Sequence, residues 1–175
     1  YITEQHRQQG SDKLLRLLEA MRLNEVDEEH GRLLQERLEE RPYEDQVVTR
    51  LYSHNIDVDA INQRYLDALE GKSHLYRMFT KGGRSKIEQL TKSLLAPEIL
   101  ELKEGAEVMF VANNFAEGFV NGSRGQVIDF EHDKPVVRLT NGKQVTVSPH
   151  SWSLNEDGKV RAEVSQLPLR LAWAI

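Results

Sequence analysis

The 175 residues allow one domain or two small ones, and 39% hydrophobic with 29% charged residues is a globular composition rather than a disordered one. A net charge of −5 argues against a generic polyanion binder, and the lack of cysteine excludes disulfides and thiolate metal sites and suggests a cytosolic setting. No apolar run approaches the roughly 18 residues of a membrane helix, so no membrane partner is expected. The charge is uneven: residues 1–71 sum to −7, residues 72–104 to +3 and residues 105–175 to −1. The basic middle holds Lys72, Arg77, Lys81, Arg84, Lys86 and Lys92. A solvated helix face is its default reading, ahead of a phosphate-facing surface. Ser11 and Asp12 can cap a helix over 13–23, with Leu14, Leu17, Leu18 and Met21 at helical spacing. A second helix over 28–40 carries Leu33, Leu34 and Leu38 and is ended by Pro42. Both read as short packed helices with acidic sides in water.

Residues 46–53, QVVTRLYS, read as a buried strand, followed by His54-Asn55 and a helix over 57–69 ended at Gly71. Asp57 is its expected cap, and Val58, Ile61, Leu66 and Leu69 its buried side. Strand, polar turn, helix is half of a βαβ unit, in which ligands sit at strand carboxyl ends and helix N-termini. His54 and Asn55 stand there, though by itself Asn55 reads as a turn residue. Residues 74–79 are a further strand candidate, Gly82-Gly83 a flexible link, and 86–95 a helix broken at Pro97.

The stretch 102–147 has sustained strand signals at 107–112, 126–130, 135–139 and 144–147. Asn121-Gly122 makes a turn, and Asn141-Gly142 reads as a two-residue hairpin, because Asn-Gly tolerates φ > 0 at both central positions. Short strands this closely spaced make a small barrel or sandwich. Residues 149–153 and 159–165 are extended candidates. The terminal SQLPLRLAWAI has no partner in the rhythm of the β unit and is expected to return to the α/β part, making the barrel an insertion.

No GxxxxGK[ST] loop, GxGxxG, HExxH or GxSxG occurs, and the six histidines are scattered. A complete catalytic constellation is therefore not expected here, nor a metal site.

LKEGAEVMFVANN, GFVNGSRGQVIDF and the terminal VSQLPLRLAWAI resemble the second motor domain of a Pif-type or RecD-like superfamily 1B DNA helicase. His6-Arg7-Gln8 matches the family's Arg-Gln pair, and His54, Asn55, Val58 and Asn62 its strand end and helix. Leu102–Met109 with Asn121-Gly122 matches the entry to its small barrel, and Gln166–Ala174 its Gln-x-Pro-Leu-x-Leu-Ala-Trp-Ala run.

The resemblance implies an α/β plus all-β fold: a partial RecA-like second motor domain (1–101) with an inserted Src-homology-3-like barrel (102–165) and a returning strand (166–175). Beginning at Tyr1 and ending at Ile175, the chain then reads as a central excerpt. The P-loop and magnesium-binding Asp-Glu would lie upstream, and a Thr-x-His-Lys-Ser-Gln-Gly motif directly downstream.

By the same resemblance, Arg7 is the arginine that reaches the γ-phosphate, with Gln8 beside it. His54, Asn55 and Asn62 grip the DNA backbone. Phe115, Asn121 and Arg124 of the tip at 113–124 stack or steer bases, Phe115 or Phe119 being at least in part barrel packing. Trp152 and Trp173 read as core. ATP and Mg2+ belong to the whole parent, none being bound by this piece alone. The partners are single-stranded DNA or a DNA junction and the remaining motor domain of the same chain. Two other readings stay open: a non-enzymatic protein-binding module, and the motor subunit of a RecD-like exonuclease.

Overall fold

The computed structural model describes residues 13–39 and 49–175, in two compact units, Tyr1–Gln46 and Val47–Ile175. The expected caps Ser11 and Asp12 lie outside the described residues.

In the first unit, α1 (Lys13–Leu23) ends on Asn24, whose φ of 59° is left-handed. Asn24 N–H bonds Met21 O and Glu25 N–H bonds Ala20 O, the paired closure of a Schellman end. Asp27 caps α2 (Glu28–Glu39) by accepting from the backbone N–H groups of Glu29 and His30. The leucines are less buried than their spacing suggests. Leu15, Leu17 and Ala20 are buried, but Leu18, Met21, Leu34 and Leu38 are exposed.

Of the buried strand expected over 46–53, the described residues begin at Thr49, and Arg50 to Ser53 are exposed. Leu51 is 83% exposed. The described part forms no regular strand and carries a single parallel bridge, from Arg50 to Ala174. Helix α3 spans Asn55–Ala68, with His54 rather than Asp57 at the N-cap. Then come β1 (His74–Arg77), β2 (Phe79–Gly82), α4 (Arg84–Ser93), β3 (Ile99–Leu102) and β4 (Glu107–Phe110). The chain continues through β5 (Arg124–Glu131), β6 (Lys134–Leu139), β7 (Gln144–Thr146), β8 (His150–Glu156), β9 (Lys159–Gln166) and β10 (Leu169–Leu171).

These strands form three antiparallel sheets: β1-β3, β10-β4-β5-β6-β7 and β2-β9-β8. The result is a mixed helix and sheet fold, but not the closed barrel expected over 102–165. β10 and β7 are unjoined edges of the larger sheet. β8 and β9 pair instead with β2, which precedes that stretch. The terminal run does have a partner in the β unit, contrary to its sequence reading: Leu169–Leu171 lies along β4. Its last residues then turn to Arg50.

Turn chemistry places the hairpins. The Asn141-Gly142 loop is not a two-residue turn. Leu139 and Lys143 close it, and only Gly142 has positive φ, so three residues form a turn with a glycine bulge. The turns with two left-handed residues are His132-Asp133 and Asp157-Gly158, which join β5 to β6 and β8 to β9.

Two apolar clusters hold the unit. Leu66 of α3 packs with Leu102, Phe110, Val127, Leu169 and Trp173 against the five-stranded sheet. Leu90 of α4 packs on Ala162 and Val164 of the three-stranded sheet. Trp173 is buried and stacks on Tyr65 at 5.7 Å, as a core role requires, and Trp152 packs half-buried against the second cluster. Gln166 ends β9, with its amide donating to the carbonyls of Tyr76, Pro97 and Glu98 and its Oε1 accepting from Leu167 N–H. One buried side chain thus joins three chain segments where two sheets meet.

A second tie pins β1 to the β5–β6 hairpin. His74 stacks on Phe130 at 3.7 Å and meets Asp133 Oδ1 at 3.1 Å, while Tyr76 O–H donates to Asp133 O. Burial first, and the Asp133 charge second, push the Tyr76 phenol from 10.0 up to about 12. Above pH 10 the unfolded chain loses this proton and the folded chain keeps it, so this contribution to stability declines as pH rises toward 12. Tyr76→Phe is expected to flatten that decline, read from denaturant midpoints across the alkaline range.

Candidate nucleic-acid interface

The stretch from Thr49 to His54, exposed from Arg50 onward, is held by backbone pairing. Arg50 N–H donates to Trp173 O at 3.0 Å, Ile175 N–H to Arg50 O at 2.8 Å and Tyr52 N–H to Ile175 O at 2.8 Å. Thr49 Oγ1 adds a bond to Ala172 O. The terminal run therefore lies parallel to the stretch that leads into α3. His54 sits exposed at the helix start, with Ser53 Oγ 2.9 Å from its Nδ1 and no bond from its ring to the helix backbone. The exposed ring stands beside the N-terminal end of the helix, where backbone N–H groups favour anions. Asn55 opens the helix, and its side chain lies outside the described part.

Asn62, expected at the DNA backbone, is turned into the protein. It is 4% exposed, and its amide closes a two-bond ring with the terminal run. Nδ2 donates to Ala174 O and Oδ1 accepts from Ala174 N–H, both at 2.9 Å. Both ends of the side chain are engaged with Ala174 and the amide is buried away from the surface. Arg7 and Gln8 lie outside the described residues.

The tip at 113–124 is shaped by asparagines. Asn113 Oδ1 accepts from Asn121 N–H and Asn114 Oδ1 from Glu117 N–H, while Asn114 pairs with Phe119 through the backbone. Asn121-Gly122 turns with positive φ only at Gly122. The two phenylalanines part company. Phe119 is buried and stacks on Phe110 at 4.1 Å, whereas Phe115 stands 80% exposed. Phe115 is free to meet a base, as base–aromatic stacking needs. Lys143 of the β6–β7 turn lies against the tip, since a Cβ at Gly118 would collide with its amine. Sequence reading passed over Lys143, whose position after Asn-Gly was the available signal.

Arg124 joins the two regions. Its Nη1 donates to Thr49 Oγ1 at 2.9 Å, so the base of the tip touches the stretch that leads to His54. The same guanidinium acts on Glu107. Burial raises that carboxyl's pKa, and the Arg124 charge and a Gln126 hydrogen bond oppose the rise. The structure thus brings Arg124 and the His54 stretch into one connected surface and sets Asn62 beneath it. Among the described residues no carboxylate–histidine group could hold a metal ion, and no helix is long and apolar enough to cross a membrane.

Residues 87–130 match the family model described as the 2B domain of DNA helicase Pif1. The chain is 32% identical to the ATP-dependent DNA helicase Pif1 of Psychrobacter sp. over 100% of its own length and 35% of the relative's. The chain belongs to the Pif1 helicase family. It spans about a third of the relatives it matches, so it corresponds to one part of such a Pif1 protein. The Bacteroides sp. Pif1 crystallised in complex with ADP-AlF4 is 27% identical, with a TM-score of 0.79 over 95% of this chain and 40% of that one. A Bacteroides Pif1 bound to ssDNA is also 27% identical, with a TM-score of 0.61 over 93% of this chain and 38% of that one.

Proposed function

We propose that this chain works within an ATP-dependent, 5′-to-3′ DNA helicase as part of the second motor lobe. The similarity to Pif1 helicases along nearly the whole chain carries this reading. Residues 1–101 are assigned to the RecA-like part and residues 102–165 to the inserted Src-homology-3-like unit, while β2 and β10 on either side of the insertion pair with its strands before residues 166–175 end beside Arg50. The parallel pairing of Arg50 with Ala174 supports that division, because it returns the chain after the insertion to the segment before it.

ATP with Mg2+ binds between this lobe and the remaining motor domain of the same protein. Arg7 meets the γ-phosphate, with Gln8 beside it. A guanidinium suits this task, since it stays charged and forks onto phosphate oxygens as charge develops in phosphoryl transfer. Single-stranded DNA passes over the surface of His54, Asn55, Phe115, Asn121 and Arg124. The binding of nucleotide and of ssDNA by the Bacteroides relatives supports both halves of this reading. The link from Arg124 to Thr49 supports a coupling of tip and backbone contacts, because movement of either stretch must strain or break it.

Arg7→Ala in the full-length protein tests the nucleotide role. DNA-stimulated ATP hydrolysis is expected to fall by about 10³-fold or more, while ssDNA binding without nucleotide is retained. Hydrolysis near wild-type would remove Arg7 from the cleft.

A further inference from the structure

We infer that the outer line of β1 and β2 is an additional contact for single-stranded DNA, in which Phe79 stacks on a base and Arg77 and Lys81 hold flanking phosphates. The inference rests on the helicase reading and extends it to a face none of the residues above occupy.

The two strands run on through Met78, and their side chains alternate. Tyr76 packs against the larger apolar cluster and Met78 against the smaller one. Leu75, Arg77, Phe79 and Lys81 point the other way and are exposed, Leu75 by 51% and Phe79 by 67%. An apolar, basic, aromatic, basic line thus runs from the two-stranded sheet, which holds Leu75 and Arg77, onto the three-stranded sheet, which holds Phe79 and Lys81, all four exposed. At about 3.3 Å per residue, Arg77 and Lys81 are roughly 13 Å apart with Phe79 midway. That span suits a few nucleotides of an extended strand.

The neighbours leave the ring open. Across the three-stranded sheet, Phe79 faces Ser165 and then Ser151, and Lys81 faces Glu163 and then Ser153. Small hydroxyls beside an exposed ring leave its face free for a base, and every base has a π-face, so such a platform needs no particular sequence. Arg77 lies opposite Ile99, not a carboxylate. Of the acidic groups on this side, Glu101 accepts a hydrogen bond from Ser73, and Glu163 makes no ion pair with Lys81.

This revises the reading of the basic segment as a solvated helix face. On α4, Arg84 pairs with Glu88, and Lys86 pairs with Glu156 of β8. Arg77 and Lys81, on the strand, make no ion pair among the described residues. Two cations without a direct ion pair therefore flank the exposed strand aromatic, with Glu163 beside Lys81 and Glu101 beside Leu75 on the same side. That arrangement complements a polyanion carrying flat apolar groups.

The test measures binding of a fluorescent oligothymidylate to the full-length protein as a function of salt. Phe79→Ala is expected to weaken binding about 5- to 100-fold with the salt slope unchanged, and Phe79→Leu to recover little of it. Arg77→Ala with Lys81→Ala is expected to weaken binding and lower the slope by about 1.4, at about 0.7 per single-strand phosphate. A merely structural role would not separate the two variants by slope. Wild-type binding that all three variants keep unchanged overturns this inference and leaves the helicase reading standing. The same holds if they lose only the binding of an acidic peptide. A wild-type protein that does not bind the oligonucleotide defeats the helicase reading, and this inference with it.

Discussion

Asn62→Leu is expected to destabilise the second unit by about 3 kcal/mol, because it strands the N–H and C=O of Ala174 without partners in a buried place. Each group left unsatisfied costs about 1–3 kcal/mol, and the added apolar contact of leucine offsets only part of this. Asn62→Asp separates the two bonds. It keeps an acceptor for Ala174 N–H but turns a second oxygen toward Ala174 O, so it is expected to be worse than leucine at neutral pH and to improve in acid. Denaturant midpoints with Trp173 fluorescence report it directly, since Trp173 precedes the clamped residue. A leucine variant as stable as wild type would show that the clamp contributes nothing net. The larger consequence is positional. Asn62 ties Ala174 to α3, and Arg50 ties the same run to the stretch before α3, so loosening one bond set shifts the start of the helix where His54 stands.

Gln166→Ala is expected to cost about 2–4 kcal/mol, by leaving Leu167 N–H unpaired and withdrawing the donor shared by three carbonyls. Gln166 is 3% exposed, so water does not readily replace the amide. Gln166→Glu sets a carboxylate against the carbonyls of Tyr76, Pro97 and Glu98. Its proton is then held more tightly in the folded state than in the unfolded one. Stability is therefore expected to fall as pH rises through the carboxylate range, and to recover in acid when the protonated carboxyl can donate again. Thermal unfolding of the two variants across that range checks both statements. Because Gln166 sits between β9 and β10, its loss is expected to loosen the three-stranded sheet from the larger one before either sheet melts.

Both residues were visible in the sequence, but only one for the right reason. Asn62 lies four residues after Val58 and four before Leu66, on the stripe that α3 buries. A polar side chain on a buried stripe must find partners in the protein, and that spacing outweighs the expectation of a DNA contact. Gln166 was legible as the start of a motif, whereas its three carbonyl partners come from segments distant in sequence. Local patterns placed most helices and strands, because periodicity and turn residues act over short spans. The same kind of signal that marked Asn121-Gly122 and Asn141-Gly142 was present in Asp157-Gly158, which was passed over and makes one of the two-residue hairpin turns. Pairing between distant strands was not legible. Nothing local tells β8 and β9 to join β2, or β10 to lie on β4, and those two choices leave the expected barrel open. Burial fails in the same way: the 46–53 stretch has the composition of a buried strand, yet Leu51 faces water because no described element covers it. At the tip, the Asn-Gly turn was readable from local sequence, whereas Phe115 and Phe119 are told apart only by the stack of Phe119 on Phe110.

The most direct measurement of the central claim is ATP hydrolysis by the full-length protein with and without single-stranded DNA. The account predicts hydrolysis that rises on adding the DNA, with the Arg124→Ala variant needing more DNA for the same stimulation. Hydrolysis that is absent, or indifferent to single-stranded DNA at every concentration, would contradict it.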